Sequence, residues 1–159
     1  MPDLKFIVDH NTGKLARWLR MMGYDTAFFT GEDDGEMVNI ALTQGRAILT
    51  RDRQLLKRRP AARGRVKALL ITDDDSRLQL RQVARTFGLD FSHKPFSLCL
   101  ECNQPLVPRT QDEVKDAVPP YVFKTQTQYM QCTRCHRVYW RGTHWEAMTR
   151  ELSAFAEAA

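Results

Sequence analysis

The chain has 159 residues, of which 43% are hydrophobic and 27% charged, so it can bury a core and lacks the composition of a disordered tail. No apolar run approaches the length of about 20 residues that spans a bilayer, and no secretory signal pattern is present. These features disfavour a membrane protein and predict a cytoplasmic one with reduced thiols. The formal net charge is +5, and residues 1–95 carry the whole excess, with 17 Lys/Arg against 12 Asp/Glu. A basic surplus of this kind favours phosphate contact or a solvated surface.

Apolar runs and segments with helical spacing alternate through the first part of the chain. Four apolar runs predict strands, over residues 4–8, 25–29, 47–50 and 67–72. Helical segments follow all four runs, and the one after the third run is short and basic. Thr12, Asp34 and Ser76 are the predicted N-caps of the other three. Regular alternation of strand and helix favours an α/β fold, with a parallel sheet and helices on both faces.

The alternation ends near Pro95, which predicts a domain boundary between residues 1–95 and 96–159. The second part contains all the cysteines of the chain, as two CxxC pairs with 29 residues between them: Cys99, Cys102, Cys132 and Cys135. Two such pairs can supply four thiolates to a closed, tetrahedral, structural zinc site. A segment this short and poor in apolar runs gains its stability from such an ion. A capping box at Thr143 and Glu146 predicts a C-terminal helix running towards Phe155.

Other interpretations of the cysteines are open at this point. Disulfides suit an oxidising compartment, and a single CxxC can be a redox motif. The run from Cys132 to His136 also matches the haem-attachment pattern CxxCH. His136 and His144 are alternative zinc ligands. Tyr139 and Trp140 lie among arginines, so they either stack on nucleic-acid bases or pack the small core of the ribbon.

Acidic residues follow the predicted strands at the points where those strands end. Asp9 follows the first, Asp52 the third and residues 73–75, all aspartates, the fourth. If the strands are parallel, these acids meet at one edge of the sheet, where α/β proteins place their sites. Asp34, with Asp33 beside it, and Glu36 open the helix before the third strand and reach the same edge. Gathered carboxylates repel one another, and Mg²⁺ or Mn²⁺ relieves that repulsion.

Each acid also has a purely structural interpretation. Asp34 can cap a helix, residues 73–75 can form a polar turn, and Asp52 can pair with a neighbouring arginine. Four cations near the acids are candidates for holding substrate phosphates: Lys14, Arg17, Arg51 and Arg53. The basic run over residues 57–67 is either a further phosphate contact or a solvated loop.

Three stretches together resemble a known family. They are IVDHNTGKLARWLRMMGYDT, DDGEMVNIALTQGRAILTRDRQL and LLITDDDSRLQLRQVARTFGL. They are similar to the PIN-like ribonuclease domain found at the C-terminus of mutator-seven exonucleases, which bacteria also carry as a stand-alone protein. The family ends in a zinc ribbon with two CxxC knuckles, and the resemblance extends from about Leu4 to Trp145.

The resemblance implies a PIN-like fold and a metal-dependent ribonuclease that hydrolyses RNA. It implies that Asp9, Asp34 and Asp52 hold Mg²⁺ or Mn²⁺, with Glu36 assisting, and that one residue of 73–75 replaces an acid that longer members carry. A non-catalytic module that binds RNA or a ribonucleoprotein is the alternative. Single-stranded DNA as a further substrate, cleavage polarity and oligomeric state stay open from the sequence.

Overall fold

The computed structural model describes residues 4–58, 64–91 and 93–158. The chain forms two compact units: the first comprises Met1–Arg20 and Tyr24–Leu89, the second Met21–Gly23 and Asp90–Ala159. The domain boundary at Pro95 stays a prediction.

The first unit is built on a four-stranded parallel sheet, as predicted. Its strands are β1 (Phe6–Val8), β2 (Thr26–Phe28), β3 (Ala47–Thr50) and β4 (Ala68–Leu70). They lie in the order β2-β1-β3-β4, and every neighbouring pair is parallel. The carboxyl ends of β1, β3 and β4 therefore share one edge of the sheet, which we call the carboxyl edge. Asp9, Asp52 and residues 73–75 all follow strands that end there.

Helices cover both faces of this sheet. They are α1 (Gly13–Met21), α2 (Asp34–Gln44) and α3 (Ser76–Phe87). Met37 of α2 is buried in one core cluster with Ile7 and Ile48, which lie on the same face of neighbouring strands. Phe6 precedes Ile7 in β1, so its side chain points to the opposite face. There its ring contacts Phe87 of α3, with 5.3 Å between the ring centres. The predicted fold class is confirmed.

The predicted caps of α2 and α3 are each wrong by one residue. Asp33, not Asp34, caps α2: its backbone is extended, and its Oδ1 accepts a hydrogen bond from the Gly35 N–H at 2.9 Å. Asp75, not Ser76, caps α3 in the same way. A cap residue must lie outside the helix so that its side chain can reach an N–H two residues further on. Asp34 already has helical geometry, so its carboxylate is not used as a cap.

The second unit contains a small antiparallel sheet. Its strands are β5 (Leu106–Arg109), β6 (Tyr129–Cys132) and β7 (Val138–Tyr139), in that order, and its helices are α4 (Pro120–Thr125) and α5 (Thr143–Ala158). Val114, Val122 and Tyr129 are buried together and form a small apolar core. The C-terminal helix is present as predicted, but Thr143 is its first residue and not the cap that the capping box predicts, since the N–H of Glu146 donates to the carbonyl of Gly142. Within the described part of the chain, every helix is too short or too polar to cross a bilayer.

Candidate functional site

The two CxxC pairs of the second unit form a single cluster. All four Sγ atoms lie within 4.8 Å of one another, and those of Cys99 and Cys135 are 3.7 Å apart. A tetrahedral zinc ion with Zn–S bonds of about 2.3 Å places its sulfur ligands about 3.8 Å apart. The cluster therefore fits a zinc ion. All four cysteines are free thiols, and a haem-attachment role for Cys132 and Cys135 would not explain why the other pair converges with them.

The two pairs are held by matching turns. The residue after each second cysteine, Asn103 or His136, has a left-handed backbone, with φ of 61° and 65°. Its N–H donates to the carbonyl of the first cysteine of its own pair, at 2.9 Å for Cys99 and 3.0 Å for Cys132. The Sγ atoms of these first cysteines also accept backbone N–H groups at 3.4 Å. His136 is thus an exposed turn residue, whereas the four thiols converge as ligands.

Tyr139 contributes to the cluster through its hydroxyl group. Its Oη lies 3.2 Å from Cys99 Sγ, within hydrogen-bonding distance, and accepts the N–H of Leu100 at 3.1 Å. Burial opposes ionisation of Cys99, but hydrogen bonds with Tyr139, with the Cys102 N–H and with the thiols of Cys135 and Cys132 outweigh it and lower the pKa of this thiol. Trp140 packs against the apolar core of the second unit. The structure thus favours packing over base stacking for both aromatic residues.

In the first unit, Asp9 and Asp52 are linked at the carboxyl edge by Thr50. Asp9 is only 9% exposed. Its Oδ2 accepts the hydroxyl of Thr50 at 2.7 Å, and its Oδ1 accepts that of Thr12 at 3.3 Å. The same Thr50 Oγ accepts the N–H of Asp52 at 3.0 Å. One buried hydroxyl therefore fixes the acid after β1 relative to the backbone of the acid after β3.

Asp34 lies against Asp52. Burial raises the pKa of Asp34, and the charge of Asp52 together with a hydrogen bond to it raises that pKa further. Arg58 partly offsets this effect by lowering the pKa of Asp34. Because carboxylates repel strongly only at short range, the start of α2 and the loop after β3 bring two of the predicted acids together.

The carboxylates differ from the thiols in how closely they gather. Among the described residues, the cysteines are the one group of three or more metal-ligating side chains close enough to hold an ion. Mg²⁺ usually keeps several water ligands and binds through one or two carboxylates. The pair Asp34 and Asp52, with Asp9 linked through Thr50, supplies the hard oxygen ligands that such an ion needs. The donor set thus fits Mg²⁺ or Mn²⁺.

The remaining acids of this edge have separate surroundings. Glu36 is exposed in the first turn of α2. Asp74 forms an ion pair with Arg51, and Asp75 is engaged as the cap of α3. Asp73 is the one of these three aspartates whose carboxylate has no hydrogen bond or ion pair to a residue that the structure describes.

Two of the four predicted phosphate-binding cations line a cavity at the carboxyl edge. The cavity has a volume of about 220 Å³, and its lining comprises Arg51, Arg53, Leu70, Ile71 and Thr72. Lys14 is exposed and Arg17 half-buried on α1, and neither lines this cavity. Part of the predicted basic run, including Arg59 and Arg63, lies outside the described residues.

Comparison with known proteins identifies the family. The model of the Mut7-C RNAse domain matches residues 4–152, nearly the whole chain. The chain belongs to the Mut7-C RNAse domain family. Neither curated proteins nor solved structures gave a match. The family inferred from the sequence is thereby confirmed, and membership of the Mut7-C family points to a ribonuclease-type function.

Two residues of this Mut7-C chain that are important for the site geometry escaped the sequence analysis. The sequence analysis places Thr50 in a strand and gives it no role at the site. A hydroxyl at the buried end of β3, just before Arg51 and Asp52, could have indicated a hydrogen bond to the acids. Arg58 was grouped with a basic run, whereas it lies close enough to Asp34 to lower its pKa. Nothing in the local sequence indicates this contact, because it depends on how the loop after β3 packs against α2.

Replacing Asp52 with Asn is expected to lower the pKa of Asp34 only part of the way towards its ordinary value. Burial, the largest cause of the raised pKa, stays, while the charge of Asp52 is removed. An acid whose pKa is raised by folding destabilises the fold as pH rises from its ordinary pKa through its raised one. The variant should therefore lose less stability than wild type as pH rises through that range. The difference between their free energies of unfolding, variant minus wild type, should increase accordingly. Carboxyl NMR titration checks the pKa, and an unchanged value would contradict the proximity of the two acids.

Proposed function

We propose that this Mut7-C protein is a divalent-metal-dependent ribonuclease that hydrolyses RNA phosphodiester bonds at the carboxyl edge of its parallel sheet. Asp9, Asp34 and Asp52 would hold Mg²⁺ or Mn²⁺, and Glu36 would assist or position water. Four cations would orient the substrate phosphates: Lys14, Arg17, Arg51 and Arg53.

One observation carries this proposal: Asp9 is hydrogen-bonded through Thr50 to the backbone of Asp52, and Asp34 faces Asp52. Three acids from distant parts of the sequence are thus positioned on rigid strand and helix ends. Carboxylates that serve only solubility need neither burial nor a repulsive neighbour, since the burial of a charge and like-charge repulsion both cost stability. A site for a cation explains why these costs are retained.

In this proposal the acidic residues bind the metal, and the basic residues bind the substrate phosphates. A bound Mg²⁺ or Mn²⁺ supplies an activated water and neutralises charge that develops on the phosphoryl oxygens. The hydrogen bonds from Thr50 and Thr12 keep both oxygens of Asp9 oriented. Arg51, which is paired with Asp74, and Arg53 line the cavity of the carboxyl edge, where guanidinium groups can bind phosphate oxygens. Glu36 is exposed and free to reorient towards an attacking water.

The proposal includes one structural zinc ion in the second unit, held by Cys99, Cys102, Cys132 and Cys135. Closed zinc sites leave no position for substrate, so catalysis belongs to the first unit. The four free thiols suit the reducing cytoplasm, which we propose as the location of the protein. We also propose that the boundary between the nuclease domain and the zinc ribbon lies at Pro95.

The test is cleavage of labelled single-stranded RNA and DNA of one sequence by the full-length protein. We expect RNA to be cleaved with Mg²⁺ or Mn²⁺ and to stay intact when neither ion is added. DNA cleaved as fast as RNA would widen the substrate class. Binding of RNA that survives loss of the three acids, with no cleavage in any divalent metal, would instead favour the non-catalytic binding module.

Replacing Thr50 with Val is expected to lower the free energy of unfolding by about 1–3 kcal/mol. Valine matches the shape of threonine, but it leaves Asp9 Oδ2 without its donor and the Asp52 N–H without its acceptor. Loss of such a supporting contact should also reduce metal-dependent cleavage about 10- to 100-fold. Urea denaturation and initial cleavage rates measure the two effects. Thr50→Ser keeps the hydroxyl and serves as the control; equal losses in both variants would assign the effect to packing.

A further inference from the structure

The solvent face of α3 bears a regular row of arginines. Arg77, Arg81 and Arg85 are spaced four residues apart, and the helix contains no acidic residue. Residues four apart lie on one face of a helix and rise about 6 Å from one to the next. The three arginines therefore lie in a row along one side of α3, which we call the arginine ridge.

The arginine ridge is not required for burying α3. The opposite face of the helix carries Leu80 and Val83, which are fully buried. Arg77 and Arg85 are exposed, while Arg81 is half-buried. Three long side chains on a solvated face would serve solubility equally well if acids alternated with them, as they usually do on surface helices.

The positive charge of the ridge is largely uncompensated. Arg77 has only a long contact, 3.7 Å, with the carboxylate of the cap residue Asp75. Arg81 and Arg85 have no carboxylate within 4.0 Å among the residues that the structure describes. The Nε of Arg81 is itself buried, so this residue can offer only the outer part of its guanidinium group to a partner. Exposed guanidinium groups without a close carboxylate, such as that of Arg85, have donors that suit an anionic partner.

The ridge starts beside the proposed active site. α3 begins immediately after residues 73–75, at the carboxyl edge. Arg51, which lines the cavity there, is paired with Asp74, two residues before the first turn of α3. From this point the helix runs back along the sheet. A single-stranded nucleic acid that enters the cavity can thus continue along the ridge without leaving the first unit.

We propose that the arginine ridge is a docking track for the sugar–phosphate backbone of single-stranded RNA, leading to or from the site of cleavage. This rests on the proposed function for its substrate class. Arginine positions that follow one another about every 6 Å along the helix axis match a partner with evenly spaced anions, and successive phosphates of an extended strand provide them. Leu78, 43% exposed on the same side of α3, offers an apolar contact for a base or sugar. The track binds the backbone irrespective of sequence.

The test compares the RNA affinity of wild type with that of a triple variant, which carries Arg77→Gln, Arg81→Gln and Arg85→Gln. Fluorescence anisotropy with a labelled single-stranded RNA, in buffer without added Mg²⁺ or Mn²⁺ and without a chelator, measures binding without cleavage and leaves the proposed zinc site intact. We expect at least about a tenfold loss of affinity at moderate salt, and a salt dependence whose logarithmic slope falls by about 2, since each neutralised phosphate contributes about 0.7. The triple Arg→Lys variant retains the charge and should recover most of the affinity.

A matched control removes the same charge from the second unit: Lys115→Gln, Lys124→Gln and Arg150→Gln, all exposed positions. An equal loss in this control, an unchanged slope in the ridge variant, or no RNA binding by wild type would overturn the proposal. Should the ridge variant fold poorly, Arg85→Gln alone should weaken binding and lower the slope by about 0.7. Binding is measured without Mg²⁺ or Mn²⁺, so it does not depend on cleavage. A wild type that binds RNA through the ridge, but does not cleave it when either ion is added, would refute the proposed function and leave this inference standing.

Discussion

Replacing Asp9 with Asn should reduce metal-dependent RNA cleavage by at least about a thousandfold, because the metal site loses a charged ligand that no neighbour can replace. Asn can still accept the hydroxyl of Thr50 through its amide oxygen. It cannot contribute negative charge, and its NH₂ group would face the hydroxyl of Thr12 or the metal. The fold should therefore survive while activity is lost. Initial cleavage rates in Mn²⁺, with circular dichroism to verify folding, measure the effect.

The control for this variant is Asp116→Asn, which removes one exposed carboxylate from the second unit. It should cleave at the wild-type rate. If Asp9→Asn also cleaves at that rate, Asp9 has no part in the chemistry and the assignment of the site is wrong. If both variants lose activity equally, the loss reflects general electrostatics and not the carboxyl edge.

Replacing Cys132 with Ser should remove the bound zinc and destabilise the second unit by more than about 4 kcal/mol, enough to unfold it. Cys132 is fully buried, and its sulfur accepts two backbone N–H groups that shape its turn. The apolar core around Val114 and Tyr129 is small, so it cannot compensate for the loss of the ion. Metal analysis should find about one zinc per chain in wild type and much less in the variant.

Hydrogen exchange shows where the destabilisation occurs. In Cys132→Ser, or in wild type treated with a zinc chelator, amides after Pro95 should exchange much faster than those of the parallel sheet. Thr133→Ala, at an exposed position of the same turn, should retain zinc and normal protection. Equal loss of protection in both halves would mean that they share one core. Wild-type zinc content near zero would contradict the structural zinc site.

Strong local signals made the first unit predictable from its sequence. Apolar runs such as residues 47–50 match β3 residue for residue, and Gly45 and Gly88 end their helices with a left-handed backbone. The caps of α2 and α3 were each misplaced by one residue, since Asp33 and Asp34 are equally good cap residues and only the backbone geometry decides between them. Between the two CxxC pairs, the β-like run YMQC matches β6, whereas β5 and α4 were not predicted, because the local sequence there has no clear periodicity.

The candidate site was predictable only in outline. Acids after parallel strands must meet at one edge, which placed Asp9 and Asp52 correctly relative to the sheet. The sequence could not show that Thr50 links them or that Arg58 lies near Asp34, because both contacts depend on how side chains pack. It also did not show how Asp74 and Asp75 are engaged: by Arg51 and by the start of α3.

The most direct measurement of the metal site is a crystal structure of the protein soaked in Mn²⁺, with anomalous scattering to locate the ions. We predict a manganese peak at the carboxyl edge, bound by Asp34 and Asp52 and contacting Asp9 directly or through water. An ion-free edge at saturating Mn²⁺, or manganese bound only elsewhere on the chain, would contradict a catalytic cation site there.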